Sequence, residues 1–447
     1  MSLVMKFGGS SVADAERMRQ VAHLARSAAS QGALVVLSAA GRTTDALLVA
    51  ARHAESGRIE EALAGRHALQ RAHRALAEAL FPEGIPSGLQ QALADLDGEL
   101  DLLLRGVALL QECSPRSRDA IASVGERFST RILAAFLGAP WVDARKVLRT
   151  DATFGAAQPQ PEALRTLARE HLAPHLHPGS LAVTQGFIGA TSEGLTTTLG
   201  RGGSDYSASL FGAALEASEI QIWTDVEGVL TCDPRVVPGA QAIPELSFAE
   251  AAELAAFGAK VLHPATLEPA VAAGIPVTVR HTLRPEGCFT TITAHPGTGR
   301  PATALACRGP VTVLTVTSSR MLNQSGFLAR LFEVFRHHRT SVDLVATAEV
   351  SVSLTVDADA PLDRLRADLE AFARVEVAED RAIVALVGER LKATPGVTGR
   401  AFGALGDLNV EMISMGANEI NLSLVVRHDE APEALRRLHA AFFEEAP

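Results

Sequence analysis

Aromatic residues are scarce in this sequence. Phe, Trp and Tyr together make up 4% of the 447 residues, so Leu, Val and Ala must fill the interior of any fold. The hydrophobic fraction of 47% is still sufficient for sizeable cores. A chain of this length predicts about two to four domains.

Cysteine is also rare, and its spacing excludes two kinds of site. The four cysteines, Cys113, Cys232, Cys288 and Cys307, form no C-x-x-C pair and no cluster typical of metal ligands. We interpret them as free thiols in a reducing compartment, which predicts a cytoplasmic protein.

Long apolar runs and excess positive charge are both missing. No uninterrupted apolar run is long enough to span a membrane. Lys6, Gly8 and Gly9 interrupt the apolar N-terminal stretch, so we expect no signal peptide. The net charge of −10 argues against nucleic acid or an anionic membrane as the main partner. An acidic protein can still bind ATP where the site itself is basic or assisted by a metal ion.

The two commonest nucleotide-binding motifs are absent, but two other glycine-rich turns are present. Neither G-x-x-x-x-G-K-[ST] nor G-x-G-x-x-G occurs. The segment Thr196–Asp205 instead predicts a strand, a tight turn with three glycines, and a helix for which Ser204 is the N-cap. Such a turn gathers N–H groups for a phosphate, and Arg201 inside it suits a carboxylate. The alternative is an ordinary strand–turn–helix with a polar tip.

A second junction of this kind lies at the N-terminus. Leu3–Phe7 predicts a buried strand, and Gly8, Gly9 and Ser10 follow it. Lys6 lies on this strand, where a lysine is costly to bury without a partner. The alternative is a lysine that reaches solvent at the edge of the sheet.

These segments, with five others in the same order, resemble aspartokinase, a member of the amino-acid kinase superfamily. The resemblance covers nearly the whole chain. Its segments are Lys6–Val12, Ser38–Asp45, Gly125–Thr130, Thr196–Asp205, Trp223–Asp225, Asp233–Arg235 and Phe257–Pro264.

The resemblance implies phosphoryl transfer from ATP, with Mg²⁺ carried on the phosphates, to the β-carboxylate of L-aspartate, the first step of lysine, threonine and methionine biosynthesis. It implies Lys6, Asp205 and Lys260 as catalytic residues. For aspartate it implies Ser38, Thr44, Glu126, Arg201 and Ser204. For the nucleotide it implies Lys6, Gly8, Gly9, Ser10, Thr224, Asp225, Leu230, Arg235 and Lys260. The family usually has tyrosine where this chain has Leu230, so a base-stacking contact is missing.

The resemblance also implies the fold class, α/β. We expect an amino-acid-kinase fold over residues 1–295, with three αβα layers and a mostly parallel open sheet. Two ferredoxin-like ACT domains follow at 312–384 and 385–447, the second completed by a strand from 302–311.

An internal repeat supports the last two domains. Gly326–Phe332 parallels Gly396–Phe402, and Ser341–Val345 parallels Asn409–Ile413. The pattern resembles paired ACT domains, which bind amino acids between subunits, so we expect a homo-oligomer. The alternative is two ferredoxin-like domains that only pack together.

The first repeat resembles that of the lysine-sensitive branch, which implies inhibition by L-lysine. Asp343 and Glu349 offer carboxylates for the two ammonium groups of lysine. Ala348 stands where that branch commonly has serine, which predicts weaker inhibition. The residues implied for this site are Met321, Phe327, Leu328, Ser341, Val342, Asp343, Thr347 and Glu349.

Two other functions stay open at this point. One is a kinase of the same superfamily that acts on glutamate, N-acetylglutamate or carbamate. The other is a non-catalytic amino-acid sensor with an inactive kinase domain. The tandem repeat argues against the first alternative. The presence of Lys6, Glu126, Arg201, Asp205 and Lys260 argues against the second.

Overall fold

The computed structural model describes residues 2–258, 264–294, 296, 301–321 and 325–444. The described residues divide into two compact units. The first takes its residues from 1–229, 244–248 and 261–295, and the second from 230–243, 249–260 and 296–447. Lys260, a predicted catalytic residue, lies outside the described residues. The described helices include none long and apolar enough to cross a membrane.

The first unit is built on an eight-stranded sheet of order β3-β4-β2-β1-β7-β9-β10-β8. The first six strands of this order, β3, β4, β2, β1, β7 and β9, are mutually parallel, and β10 is antiparallel to β9. A separate antiparallel pair joins β5 and β6. The strands are β1 Leu3–Phe7, β2 Ala33–Leu37, β3 Trp141–Val142, β4 Leu181–Gln185, β5 Ile188–Ala190, β6 Thr196–Thr198, β7 Glu219–Thr224, β8 Glu245–Ser247, β9 Val277–His281 and β10 Thr290–Thr293.

Ten helices lie along residues 2–258 and 264–294. They are α1 Ala15–Ala28, α2 Thr43–Glu55, α3 Ile59–Leu80, α4 Ser87–Leu110, α5 Pro115–Leu137, α6 Ala144–Val147, α7 Pro161–His171, α8 Gly203–Ala214, α9 Phe248–Ala256 and α10 Pro264–Ala273. The mostly parallel sheet with its helices confirms the predicted kinase fold.

Strand β1 contributes side chains to both faces of this sheet. Its residues Leu3, Met5 and Phe7 are buried in one core with side chains of α1, α3 and α5. Because side chains alternate along a strand, Lys6 points to the opposite face, where it meets Asp205 of α8. The sequence Leu-Val-Met-Lys-Phe thus supplies apolar packing on one face and a single buried cation on the other.

The second unit contains a six-stranded antiparallel sheet of order β12-β13-β11-β14-β16-β15. Its strands are β11 Ala304–Thr317, β12 Val345–Thr347, β13 Ser351–Asp357, β14 Arg374–Val387, β15 Met412–Met415 and β16 Asn421–Arg427. Its helices after residue 301 are α11 Phe327–His337, α12 Leu362–Glu370, α13 Val397–Leu405 and α14 Ala431–His439.

The long strand β11 serves both repeats. Residues 311–317 pair with β13, and residues 304–308 pair with 383–387 of β14. The register shifts between Arg308 and Val313, where the strand passes from one repeat to the other. Helices α11 and α13 each begin after a left-handed glycine, Gly326 and Gly396, at φ values of 91° and 85°. The predicted repeat of two ferredoxin-like folds is confirmed.

The predicted N-cap of α8 was wrong. Ser204 lies in the first turn of the helix, which begins at Gly203, and the capping position belongs to Gly202 at φ 71°. A left-handed residue is needed where the tight turn enters the helix, and glycine adopts that conformation without strain. Ser204 therefore lies within the helix rather than at its cap, and it lines a pocket.

Candidate active site

A cavity of about 310 Å³ lies in the first unit, beside the carboxyl ends of β1 and β2. Helices α2, α5 and α8 contribute to it, with the segments that follow β1, β2, β4 and β6. This is the position expected for a ligand in an open parallel sheet. The described residues lining it are Lys6, Gly9, Ser38, Ala39, Gly41, Thr44, Glu126, Phe187, Gly200, Gly202, Gly203, Ser204 and Asp205. The cavity brings together residues that are up to 199 positions apart in the chain, from Lys6 to Asp205.

An ion pair between Lys6 and Asp205 forms one side of this cavity. Nζ of Lys6 lies 2.6 Å from Oδ1 of Asp205, and the two side chains are 10% and 17% exposed. Lys6 is the fourth of five residues in a strand that is paired on both sides, which fixes its backbone at the cavity. Asp205, in the first turn of α8, offsets the cost of burying that charge.

Glu126 contrasts with Asp205, because this buried carboxylate has no cationic partner among the described residues. The residue is 3% exposed. The Ala39 N–H donates to Oε1 at 3.2 Å, while Oε2 has no hydrogen-bond partner in the described part of the chain. Burial raises the pKa of Glu126 to about 8, although hydrogen bonds from the backbone act in the opposite direction. The orphaned oxygen fits a ligand that carries a cation.

Two glycines allow the walls around Glu126 and Lys6 to approach closely. A Cβ on Gly125 would lie 2.9 Å from the Cβ of Ala39, so only glycine lets α5 pack this close to the loop after β2. A Cβ on Gly9 would lie 2.8 Å from the carbonyl oxygen of Ala39. The Gly41 N–H donates to the Gly9 carbonyl at 2.9 Å, which joins the two loops. Gly9 and Gly125 in the quoted motifs are therefore packing requirements of this site.

The predicted substrate residues fall into two groups. Ser38, Thr44 and Ser204 line the cavity with Glu126. Arg201 is exposed, and its neighbours Gly200 and Gly202 line the cavity in its place. The predicted contact of Arg201 with a substrate carboxylate stays a prediction.

The predicted nucleotide residues are distributed over both units. Thr224 and Asp225 follow β7, in the first unit, and the Thr224 hydroxyl donates to Asp225 at 3.1 Å. Leu230 and Arg235 belong to the second unit. Arg235 forms an exposed ion pair with Asp233 at 2.5 Å. Gly8 donates its N–H to the carbonyl of Trp223 at 3.2 Å, which ties the first glycine-rich turn to the end of β7.

The predicted lysine residues lie in the second unit. Asp343 is part of an ion pair with Arg308 at 2.8 Å, and its Oδ2 is buried without a partner among the described residues. Burial raises the pKa of Asp343, and Arg308 lowers it. Glu349 is exposed. Phe327 is buried, and Met321 and Val342 are partly buried. Leu328, Ser341 and Thr347 are exposed.

One buried polar residue that contacts Thr198, Asp119, was not predicted from the sequence. It is 2% exposed and accepts three hydrogen bonds, from Gly155 and Thr198. A signal was present in the sequence, because Asp119 precedes Glu126 by seven residues and both lie on α5. That spacing places both carboxylates on the same helix face.

The cavity thus offers a fixed cation, backbone N–H groups at two glycine-rich turns, and a carboxylate that has no cationic partner among the described residues. Backbone N–H groups at a helix N-terminus suit a phosphate. Lys6 neutralises negative charge, and Glu126 accepts a positive group. The arrangement can hold an anion and a zwitterion side by side, as transfer of a phosphoryl group to an amino acid requires.

Comparison with known proteins agrees with this chemistry. The model of the amino acid kinase family matches residues 1–281, and an ACT domain model matches residues 384–442. The chain is 43% identical to lysine-sensitive aspartokinase 3 of Escherichia coli (strain K12) over 459 residues, which covers 99% of each protein.

Two solved structures match over nearly the full length. One is E. coli aspartokinase III in complex with aspartate and ADP, with 41% identity, a TM-score of 0.84, and coverage of 99% of this chain and 100% of that one. The other is the same enzyme with lysine and aspartate, with 42% identity, a TM-score of 0.81 and coverage of 99% of both. The chain therefore belongs to the aspartokinases, within the amino acid kinase family.

Proposed function

We propose that this protein is an ATP-dependent aspartate kinase. The γ-phosphoryl group of ATP passes to an oxygen of the β-carboxylate of L-aspartate, which yields ADP and 4-phospho-L-aspartate. The observation that carries the proposal is one cavity lined by the Lys6–Asp205 ion pair and by Glu126, whose Oε2 has no partner among the described residues. The relatives named above support it, since one was solved with aspartate and ADP.

No general base is required for this reaction. A carboxylate acceptor is already ionised at neutral pH. The enzyme must instead align two anions and neutralise charge on the moving phosphoryl group. Lys6 is the described cation at the cavity wall that is suited to this, and Asp205 fixes its position. Lys260 is the second proposed cation.

The remaining roles follow from the chemistry of each side chain. Glu126 binds the α-ammonium of aspartate, and Arg201 binds the α-carboxylate. Ser38, Thr44 and Ser204 donate hydrogen bonds to the substrate. Gly8, Gly9, Ser10, Thr224, Asp225, Leu230 and Arg235 form the nucleotide site, with Lys6 and Lys260 at its phosphates.

The metal ion is assigned to the phosphates. Among the described residues, no group of three or more His, Cys, Asp or Glu side chains is placed to hold one. Mg²⁺ bound by ATP oxygens and water, which it prefers, supplies charge neutralisation without a protein cage. The residues of the cavity fit this arrangement, because Asp205 is already engaged with Lys6.

Regulation is assigned to the second unit. We propose that L-lysine inhibits the enzyme through Asp343, Glu349 and their neighbours, and that the ACT domains mediate homo-oligomerisation. The proposed boundaries are 1–295, 312–384 and 385–447, and the pairing of 304–308 with 383–387 supports them. The free thiols support a cytoplasmic location.

The direct test is release of ADP from MgATP with a panel of acids. The proposal predicts turnover with L-aspartate and little with glutamate, N-acetylglutamate or carbamate. Turnover with another acid alone would show that the protein is a different amino acid kinase, specific for that acid. Absence of turnover with every acid, together with binding of lysine, would identify a non-catalytic sensor.

A further inference from the structure

Asp119 is a buried carboxylate that binds two segments of the chain at once. The N–H groups of Gly155 and Thr198 donate to its Oδ2 at 2.9 and 2.8 Å, and the Thr198 hydroxyl donates to Oδ1 at 2.9 Å. The residue lies on α5 and is 2% exposed. Burial raises the pKa of Asp119, whereas these hydrogen bonds lower it.

The two segments held by Asp119 lead directly into the cavity. Thr198 ends β6 and precedes Gly200, a cavity-lining residue, by two positions. The carbonyl oxygen of Gly155 would be 3.0 Å from a Cβ on Gly200, so the loop at 155 packs against the glycine-rich turn. The Ala157 N–H also donates to the Thr198 carbonyl at 2.9 Å. A shift of Thr198 therefore moves the turn that carries Ser204 and Asp205.

The same helix carries Glu126. Seven residues are close to two helical turns, about 10 Å along the axis, so the two carboxylates share one side of α5. We propose that Asp119 is a positioning residue, which fixes the glycine-rich turn at residues 199–205 relative to the ammonium site at Glu126. This inference rests on the proposed aspartate kinase reaction, in which Glu126 and the turn residues Arg201 and Ser204 bind aspartate and Asp205 holds Lys6.

Replacement of Asp119 by asparagine tests the proposal with almost no change of volume. The amide oxygen can accept from the two N–H groups, but the NH₂ group can only donate to the Thr198 hydroxyl, which must then reverse its direction and accept. All three hydrogen bonds also lose the negative charge that strengthens them. Misplacement of reacting groups by about 1 Å can cost roughly a hundredfold in rate. We expect Asp119→Asn to reduce kcat/KM for aspartate by roughly ten- to a hundredfold, with the KM for ATP near its wild-type value.

Asp97→Asn is the matched control. Asp97 is a second buried aspartate of the same unit, 7% exposed on α4, and it accepts from Arg66 at 3.2 Å and from Gln70 at 2.9 Å. It does not line the cavity. Asp97→Asn should lower the melting temperature and leave kcat and both KM values unchanged. If Asp119→Asn also lowers only the melting temperature, Asp119 is merely structural and the proposal is overturned.

Thr198 provides a second variant in case Asp119→Asn does not fold. Thr198→Val removes only the hydroxyl donor to Oδ1, and Thr198→Ser retains it. The proposal predicts a several-fold loss of kcat/KM for aspartate in the valine variant and its recovery in the serine variant. Equal activity of both variants would contradict it. Wild-type protein is measured in parallel, so that failure of the positioning role can be told from failure of the proposed function. Absence of aspartate-dependent turnover in the wild type would refute the proposed function itself.

Discussion

Two carboxylates at the cavity wall, Asp205 and Glu126, have opposite environments. Asp205 lies 2.6 Å from the ammonium of Lys6, whereas Glu126 is buried with one oxygen unpaired among the described residues. The first carboxylate completes its ion pair within the protein. Burial raises the pKa of the second to about 8, and no described residue supplies a cation to it.

The difference indicates how one cavity serves two substrates. The Lys6–Asp205 pair keeps a cation in place for phosphates, and the ion pair limits the cost of burying it. In the proposed reaction, Glu126 pairs with the ammonium of the substrate, so this contact favours a zwitterion over a simple anion. The predictions below separate these two roles, beginning with the largest effect.

Lys6→Ala should reduce kcat far more than it raises the KM for aspartate. Lys6 acts on charge that develops during phosphoryl transfer, and loss of one such group costs about 3 kcal/mol, or a hundredfold or more in rate. Steady-state kinetics of ADP release measures this. A Lys6→Ala enzyme with full kcat would contradict the role of the ion pair.

Glu126→Gln should mainly weaken the binding of aspartate. The amide removes the partner of the ammonium, which we expect to raise the KM for aspartate by roughly ten- to a hundredfold, since hydrogen bonds to charged groups contribute about 1.5–3 kcal/mol. The KM for ATP should hardly change. Collapse of ATP affinity with intact aspartate affinity would show that Glu126 serves the nucleotide.

A third carboxylate, Asp343 in the second unit, extends the comparison to regulation. It is paired on one oxygen with Arg308 and unpaired on the other among the described residues. Lysine should inhibit the wild type, with a coupling energy of about 1–3 kcal/mol, equivalent to a fivefold to hundredfold effect. Titration of lysine should show a weaker response in Asp343→Ala. Equal responses of both proteins would place the site elsewhere, and inhibition by threonine alone would refute the branch assignment.

Glu126 should also make stability depend on pH. A carboxyl group whose pKa is raised in the folded state binds its proton more tightly there than in the unfolded chain. The contribution of Glu126 to the free energy of unfolding therefore falls by on the order of a few kcal/mol as pH rises from about 4.5 to about 8. Above that pH it stays constant. The melting temperature of the wild type should decrease over this window more than that of Glu126→Gln. Parallel curves for the two proteins would contradict the raised pKa.

Much of this architecture was predictable from the sequence. The apolar runs Leu3–Phe7 and Ala33–Leu37 are strands at those bounds, because a strand of a parallel sheet is buried on both faces. The repeat after residue 301 was visible from the paired segments that begin at Gly326 and Gly396. These features depend on local pattern, which a sequence displays directly.

The site was less predictable where it depends on tertiary contacts. The N-cap was assigned to Ser204 because serine is a common cap, but the turn required a left-handed residue and Gly202 occupies it. Asp119 was missed because its partners, Gly155 and Thr198, are 36 and 79 residues away. The unpaired oxygen of Glu126, found among the described residues, was likewise not predictable, because its burial arises only when α5 packs on the loop at Ala39.

Proton release on aspartate binding tests the contrast between the two carboxylates most directly. Calorimetric titration at pH 7, with ADP present and in buffers of different ionisation enthalpy, measures the protons exchanged. Because Glu126, with a pKa of about 8, is mostly protonated at pH 7 and must ionise to pair with the ammonium, the wild type should release about one proton per aspartate bound. Glu126→Gln should release none. Binding to the wild type without proton release would contradict the account.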